Sequence, residues 1–140
     1  MTPDTSFTDP GRKQQRQPFP SIQQSGHAEL SGIIPVLPTP FKEDASLDLE
    51  SLDRLIEHAL TWGAQGIAIL GSASEVEKLT AEEYETIAEV IARKIAGKLP
   101  LVMGLSAADA KMTVNHAMIA RRMGATAVFA KPPAPTRVET

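Results

Sequence analysis

Residues 66–75 read Gly66-Ile67-Ala68-Ile69-Leu70-Gly71-Ser72-Ala73-Ser74-Glu75. An apolar run of this length bounded by glycines fits a short buried strand. The strand then passes into small hydroxyl residues, a corner where free backbone N–H groups can hold a small anion. A capping box follows at Thr80-Ala81-Glu82-Glu83, with Leu79 and Tyr84 placed to staple it. The apolar positions Tyr84, Ile87, Ala88, Ile91 and Ile95 then form one helical face, stopped at Gly97.

On the N-terminal side, Ile33, Ile34, Val36 and Leu37 make an earlier apolar run, broken by Pro35 and closed by Pro38 and Pro40. Proline donates no ladder hydrogen bond, so this strand is the weakest of the set. A turn at residues 42–46 leads to a helix capped by Asp48, with Leu52, Leu55, Ile56, Ala59 and Leu60 on one face and Gly63 at its end. On the C-terminal side, Leu101-Val102-Met103 is a third strand. Ser106 with Asp109 resembles a further helix cap. Met112, His116, Ile119, Ala120 and Met123 share the next helical face, Gly124 stops it, and Ala127-Val128-Phe129-Ala130 is a fourth strand. Strand and helix therefore alternate from residue 33 to residue 130, which predicts an α/β fold with parallel strands.

Residues 1–30 differ. They hold five glutamines and few large apolar residues, and they read as a disordered tail ahead of a domain spanning residues 31–140. The tail lacks the apolar core of a secretory signal, and Asp4 and Asp9 argue against an organelle-targeting peptide. The 140 residues carry a formal net charge of -3 and no cysteine. This charge gives no electrostatic reason to expect nucleic acid or an anionic membrane as partner. The missing thiols exclude disulfides and thiolate catalysis, and fit a reducing, cytoplasmic setting. No apolar run approaches the ~20 residues of a bilayer span.

In a parallel α/β fold, ligands bind beyond the carboxyl ends of the strands. Of the loops there, residues 71–75 are the richest. Gly71 permits close approach, Ser72 and Ser74 offer hydroxyls, backbone N–H groups around Ala73 could form a carboxylate nest, and Glu75 could act as a base or an orienter. A plain polar loop is the alternative. Lys131 stands at the carboxyl end of the fourth strand, where a desolvated lysine can form a Schiff base; a surface lysine with an apolar stem is the alternative. His116 lies on an apolar helical face without a partner at metal-ligand spacing, so it reads as structural, and no metal or cofactor is expected.

Several landmarks in order carry a resemblance: Gly32-Ile33-Ile34-Pro35 running into Thr39-Pro40-Phe41, the strand ending in Gly71-Ser72-Ala73-Ser74-Glu75, Leu79-Thr80 with Glu83, and the fourth strand ending in Pro132-Pro133. From Gly32 to about Pro135 the chain resembles the start of the dihydrodipicolinate synthase and N-acetylneuraminate lyase family. The resemblance implies a (β/α)8 (TIM) barrel of class I aldolases and dehydratases, which bind pyruvate or another 2-keto acid as a Schiff base on lysine. It implies that Gly71, Ser72, Ala73, Ser74 and Glu75 bind the keto-acid carboxylate, with Ser72 in a proton relay. The family's usual Gly-Thr-Thr-Gly-Glu is altered here to Gly-Ser-Ala-Ser-Glu, a form closer to the 2-keto-3-deoxy sugar-acid dehydratases. The family's aromatic residues after the paired prolines are absent from Ala134-Pro135.

A whole barrel needs ~250 residues. The resemblance therefore implies a truncated barrel of four βα units, with the family's Schiff-base lysine falling beyond Thr140. The chain is expected to be inactive alone and, at full length, a homo-oligomer. Two other expectations stand beside this one: Lys131 taking over as the Schiff-base residue with Glu75 as its base, and a non-catalytic half barrel that self-associates through its open edges.

Overall fold

A computed structural model describes residues 30–131. The reading of residues 1–30 as a tail falls, but for Leu30, outside the described residues, as does Pro132-Pro133-Ala134-Pro135. Among the described residues, three α-helices and three strands alternate: α1 (Leu49–Thr61), β1 (Ile67–Ile69), α2 (Ala81–Ile95), β2 (Leu101–Gly104), α3 (Ala110–Arg122) and β3 (Ala127–Phe129). The sheet order is β1-β2-β3 and both pairings are parallel, as the alternation predicts.

The helix boundaries follow from local chemistry. Asp48 caps α1 by accepting the Ser51 N–H at 3.0 Å. Thr80 and Glu83 form a reciprocal capping box at the start of α2, satisfying two otherwise unpaired donors. Beyond α1 and α2, Gly63 and Gly97 take the left-handed conformation that ends a helix cheaply only for glycine. At α3 the expected cap shifts by three residues. Asp109 itself is the N-cap and accepts the Met112 N–H at 2.7 Å, while the Ser106 hydroxyl instead accepts the Lys131 N–H at 3.0 Å.

The first predicted strand is reduced to a single parallel bridge, Val36 to Ala68. Around it, Ala68 N–H donates to Pro35 O and Leu37 N–H to Ala68 O, both at 2.9 Å. One step earlier the ladder would need a donor from Pro35, which has none. The segment thus follows β1 as an extended edge without forming a regular strand.

Side-chain alternation gives the sheet two different faces. Ile67, Ile69, Leu101 and Met103 point into the helix layer and join Leu52, Ile56, Tyr84, Ile87, Ile91 and Ile119 in one core. Each such aliphatic side chain stabilises by about 1.5–3 kcal/mol on burial. Val36, Ala68, Val102 and Ala127 occupy matching register positions on the opposite side. The Tyr84, Ile87, Ala88, Ile91 and Ile95 face of α2 is buried as its periodicity predicts. On α3 only His116, Ile119 and Ala120 are buried. Met112, predicted on the same face, is exposed in the first turn. Ion pairs join the helices: Lys94 reaches Asp53 and Glu57 of α1, and Arg122 of α3 reaches Glu85 of α2.

Candidate functional site

The carboxyl end of β1 is a tight corner. Leu70 is fully buried and adopts φ 59°, a left-handed conformation that costs an L-residue about 1–2 kcal/mol. Its N–H donates to Ser74 Oγ at 3.0 Å, and Ser74 Oγ donates to Leu37 O at 2.6 Å. Thr39 Oγ1 donates to Ser74 O at 2.8 Å. Ser74 is itself buried, so its hydroxyl, read from the sequence with the ligand-contacting residues, is turned into the protein. It links β1 to the first extended segment.

The turn Ser72–Ser74 that follows is a single 3-10 turn. Gly71 O accepts from both Ser74 N–H and Val76 N–H. Ser72 and Ala73 are exposed, and their N–H groups meet no protein acceptor among the described residues. With the Ser72 hydroxyl they give three donors on one turn. Glu75 takes φ 53° and pairs with Lys78 at 2.5 Å. That hydrogen bond raises the Lys78 pKa above its ordinary value. Ser72, Glu75, Glu77, Lys78 and Lys131 share the wall of one open cleft of about 340 Å³. The structure therefore brings Lys131 to the same cleft as the β1 loop, though not into a desolvated position. Its side chain is 67% exposed, with Nζ 3.5 Å from Glu77 Oε1.

The residues that shape this corner from behind carry no motif. Gly104, at the end of β2, lies so close to Leu70 that a Cβ there would come within 2.1 Å of Leu70 O. A Cβ on Gly71 would meet the Phe129 ring at 2.9 Å, so both glycines serve close approach. Tyr84 Oη donates to Gly104 O at 2.8 Å. Burial pushes the Tyr84 phenol well above its ordinary pKa, which keeps it a neutral donor. The Tyr84 ring stacks on His116 with centroids 3.7 Å apart, and His116 Nδ1 lies 3.4 Å from Leu105 O. Burial lowers the His116 pKa, favouring the uncharged ring. The one signal for Tyr84 in the sequence is that it is the only tyrosine in the chain and sits on an apolar helical face.

Parallel strands covered by helices, with a donor-rich turn beyond β1, define an α/β protein of the partial (β/α)8 kind. A model of the Dihydrodipicolinate synthetase family matches residues 29–139, and the chain belongs to that family. It is 37% identical over 105 residues to a 4-hydroxy-tetrahydrodipicolinate synthase of Xanthomonas axonopodis pv. citri, covering 74% of this chain and 35% of the relative. It is 31% identical over 102 residues to an L-2-keto-3-deoxyarabonate dehydratase of Azospirillum brasilense, covering 73% of this chain and 33% of the relative. Among solved structures it is similar to YagE of E. coli K12, a dihydrodipicolinic acid synthase family protein in complex with pyruvate. That match has TM-score 0.73 and 29% identity, and covers 80% of this chain and 38% of YagE. The chain thus spans about a third of the length of the curated relatives it matches.

Proposed function

We propose that residues 70–75 bind the carboxylate of pyruvate or a related 2-keto acid within an aldolase-type lyase site. One observation carries this reading: among the described residues, the N–H groups of Ser72 and Ala73 and the Ser72 hydroxyl stand without protein acceptors on the turn after β1. A carboxylate there receives charge-assisted hydrogen bonds, roughly twice as strong as neutral ones. The pyruvate complex of the similar YagE supports the same substrate class.

In such chemistry a lysine amine condenses with the keto carbon and releases water. The protonated imine then accepts the electron pair of the bond that breaks next to it. Gly71 and Ala73 offer backbone, Ser72 offers a hydroxyl for proton transfer, and Glu75 and Lys78 form a paired wall beside it. The exposure of Lys131 weighs against its serving as the Schiff-base lysine, because a lysine needs desolvation to lose its proton near neutral pH. Borohydride treatment with pyruvate is expected to label no lysine of this chain. Stoichiometric labelling that disappears in Lys131→Ala would assign the Schiff base to Lys131.

Titration with pyruvate, followed by amide NMR, is expected to move the Ser72 and Ala73 resonances saturably, with acetone producing no such change. Equal responses to both would overturn the carboxylate reading. The Ser74-Glu75 pair favours a 2-keto-3-deoxy sugar acid as the fuller substrate, and the similar dehydratase from A. brasilense adds support.

A second reading concerns assembly. Ile33 and Val36 beside one sheet edge, and Val128 and Phe129 at the other, are exposed apolar residues. They favour a homo-oligomer in which copies cover one another's edges. Light scattering should then return a multiple of the 15.0 kDa chain mass, and a monomer would remove this reading. A cytoplasmic location is proposed from the cysteine-free sequence.

A further inference from the structure

Leu70 turns left-handed where β1 ends, although it is neither glycine nor asparagine. Two neighbours hold that turn. Gly104 leaves space for the Leu70 carbonyl, and Ser74 takes up the Leu70 N–H while donating to Leu37 O on the adjacent segment. Thr39 grips Ser74 from the same segment through the Ser74 carbonyl. Ser74 is thus tied to three residues outside its own turn. Glycine at this place, as in the Gly-Thr-Thr-Gly-Glu form, would have no hydroxyl to make either side-chain bond.

We propose that Ser74 is a positioning residue whose hydroxyl locks the left-handed Leu70 turn to the first extended segment and so aims the donors of Ser72 and Ala73. The inference rests on the reading that those donors hold a 2-keto-acid carboxylate, and it assigns Ser74 no contact with that ligand. Directly before the donor turn, a change in the Leu70 dihedral redirects every following N–H. Ser74 can therefore alter affinity through backbone direction alone.

The test uses the full chain, isotope-labelled, as wild type, Ser74→Ala and Thr39→Val. Two quantities are read: the Leu70 HN–Hα coupling, which reports φ, and pyruvate affinity from the Ser72 and Ala73 amide shifts. In Ser74→Ala the Leu70 coupling is expected to leave its wild-type value and pyruvate affinity to fall about tenfold, the scale of one hydrogen bond. Thr39→Val is expected to act in the same direction by about threefold, and it decides the matter if Ser74→Ala does not fold. An unchanged Leu70 coupling in the folded variants overturns the proposal. Affinity lost with an unchanged coupling would instead make Ser74 a ligand contact. If wild type ignores pyruvate, the carboxylate reading fails, while the Leu70 coupling still decides whether Ser74 sets the turn.

Discussion

The carboxyl ends of β1 and β3 face one cleft but are built differently. After β1, Leu70 and Ser74 are buried and every polar atom of the Ser74 side chain is engaged. At the end of β3, Phe129 is exposed, as is Lys131 beyond it, and among the described residues the backbone leaving the strand is held by Leu105 N–H to Phe129 O at 2.8 Å and Lys131 N–H to Ser106 Oγ at 3.0 Å. The contrast teaches where the chain can hold a fixed geometry. The turn proposed to face a carboxylate stands where burial and hydrogen bonds determine the backbone. The long exposed cation of Lys131 stands where, among the described residues, its ammonium meets a single exposed carboxylate, that of Glu77.

The strongest way to break that contrast is Gly104→Ala. Its methyl group would collide with the backbone carbonyl Leu70 O, which cannot swing away as a flexible side chain could, so the end of β1 must move. The expected loss is about 3 kcal/mol or more, read from the denaturant midpoint. A loss near zero would show that the β1 corner is as yielding as the β3 end. Tyr84→Phe keeps the stacked ring and removes only the donor to Gly104 O. It should cost about 1–1.5 kcal/mol in the same measurement.

A smaller effect is expected from pH. The buried His116 has a lowered pKa, so the folded state binds fewer protons than the unfolded state just below the ordinary histidine value of 6.5. Stability is then unaffected above that value and declines as pH falls from it towards the folded pKa. Comparing wild type with His116→Phe across this range should show the histidine-dependent slope in wild type alone. The smallest effect is expected at the β3 end. Lys131→Ala breaks one exposed ion pair with Glu77 and should leave the unfolding midpoint unchanged within error.

The parts legible in the sequence were those set by neighbours along the chain. The Asp48 cap, the Thr80–Glu83 box and the buried face of α2 each depend on residues within one or two turns. The start of α3 misled because Ser106 and Asp109 are both credible caps. The choice of Asp109 frees Ser106 to accept from Lys131, a partner 25 residues away. The proline-broken first segment was weak in the sequence for the reason it is weak in the structure: Pro35 has no N–H to give.

The place of the donor turn, just beyond a buried strand, followed from residues 66–75 alone, since apolar run, glycine and hydroxyl residues are local features. Its shape did not. The left-handed Leu70 turn is compatible with many sequences and is selected here by Leu37, Thr39 and Gly104, which lie more than 30 residues away along the chain. The sequence by itself determined the three helices, the three strands β1–β3 and where a 2-keto acid is proposed to meet them. Only the tertiary structure decided that Ser74 faces inward, that Tyr84 supports Gly104, and that Lys131 stays in water. Those outcomes depend on burial and on hydrogen bonds between distant segments, and neither exists until the chain has packed.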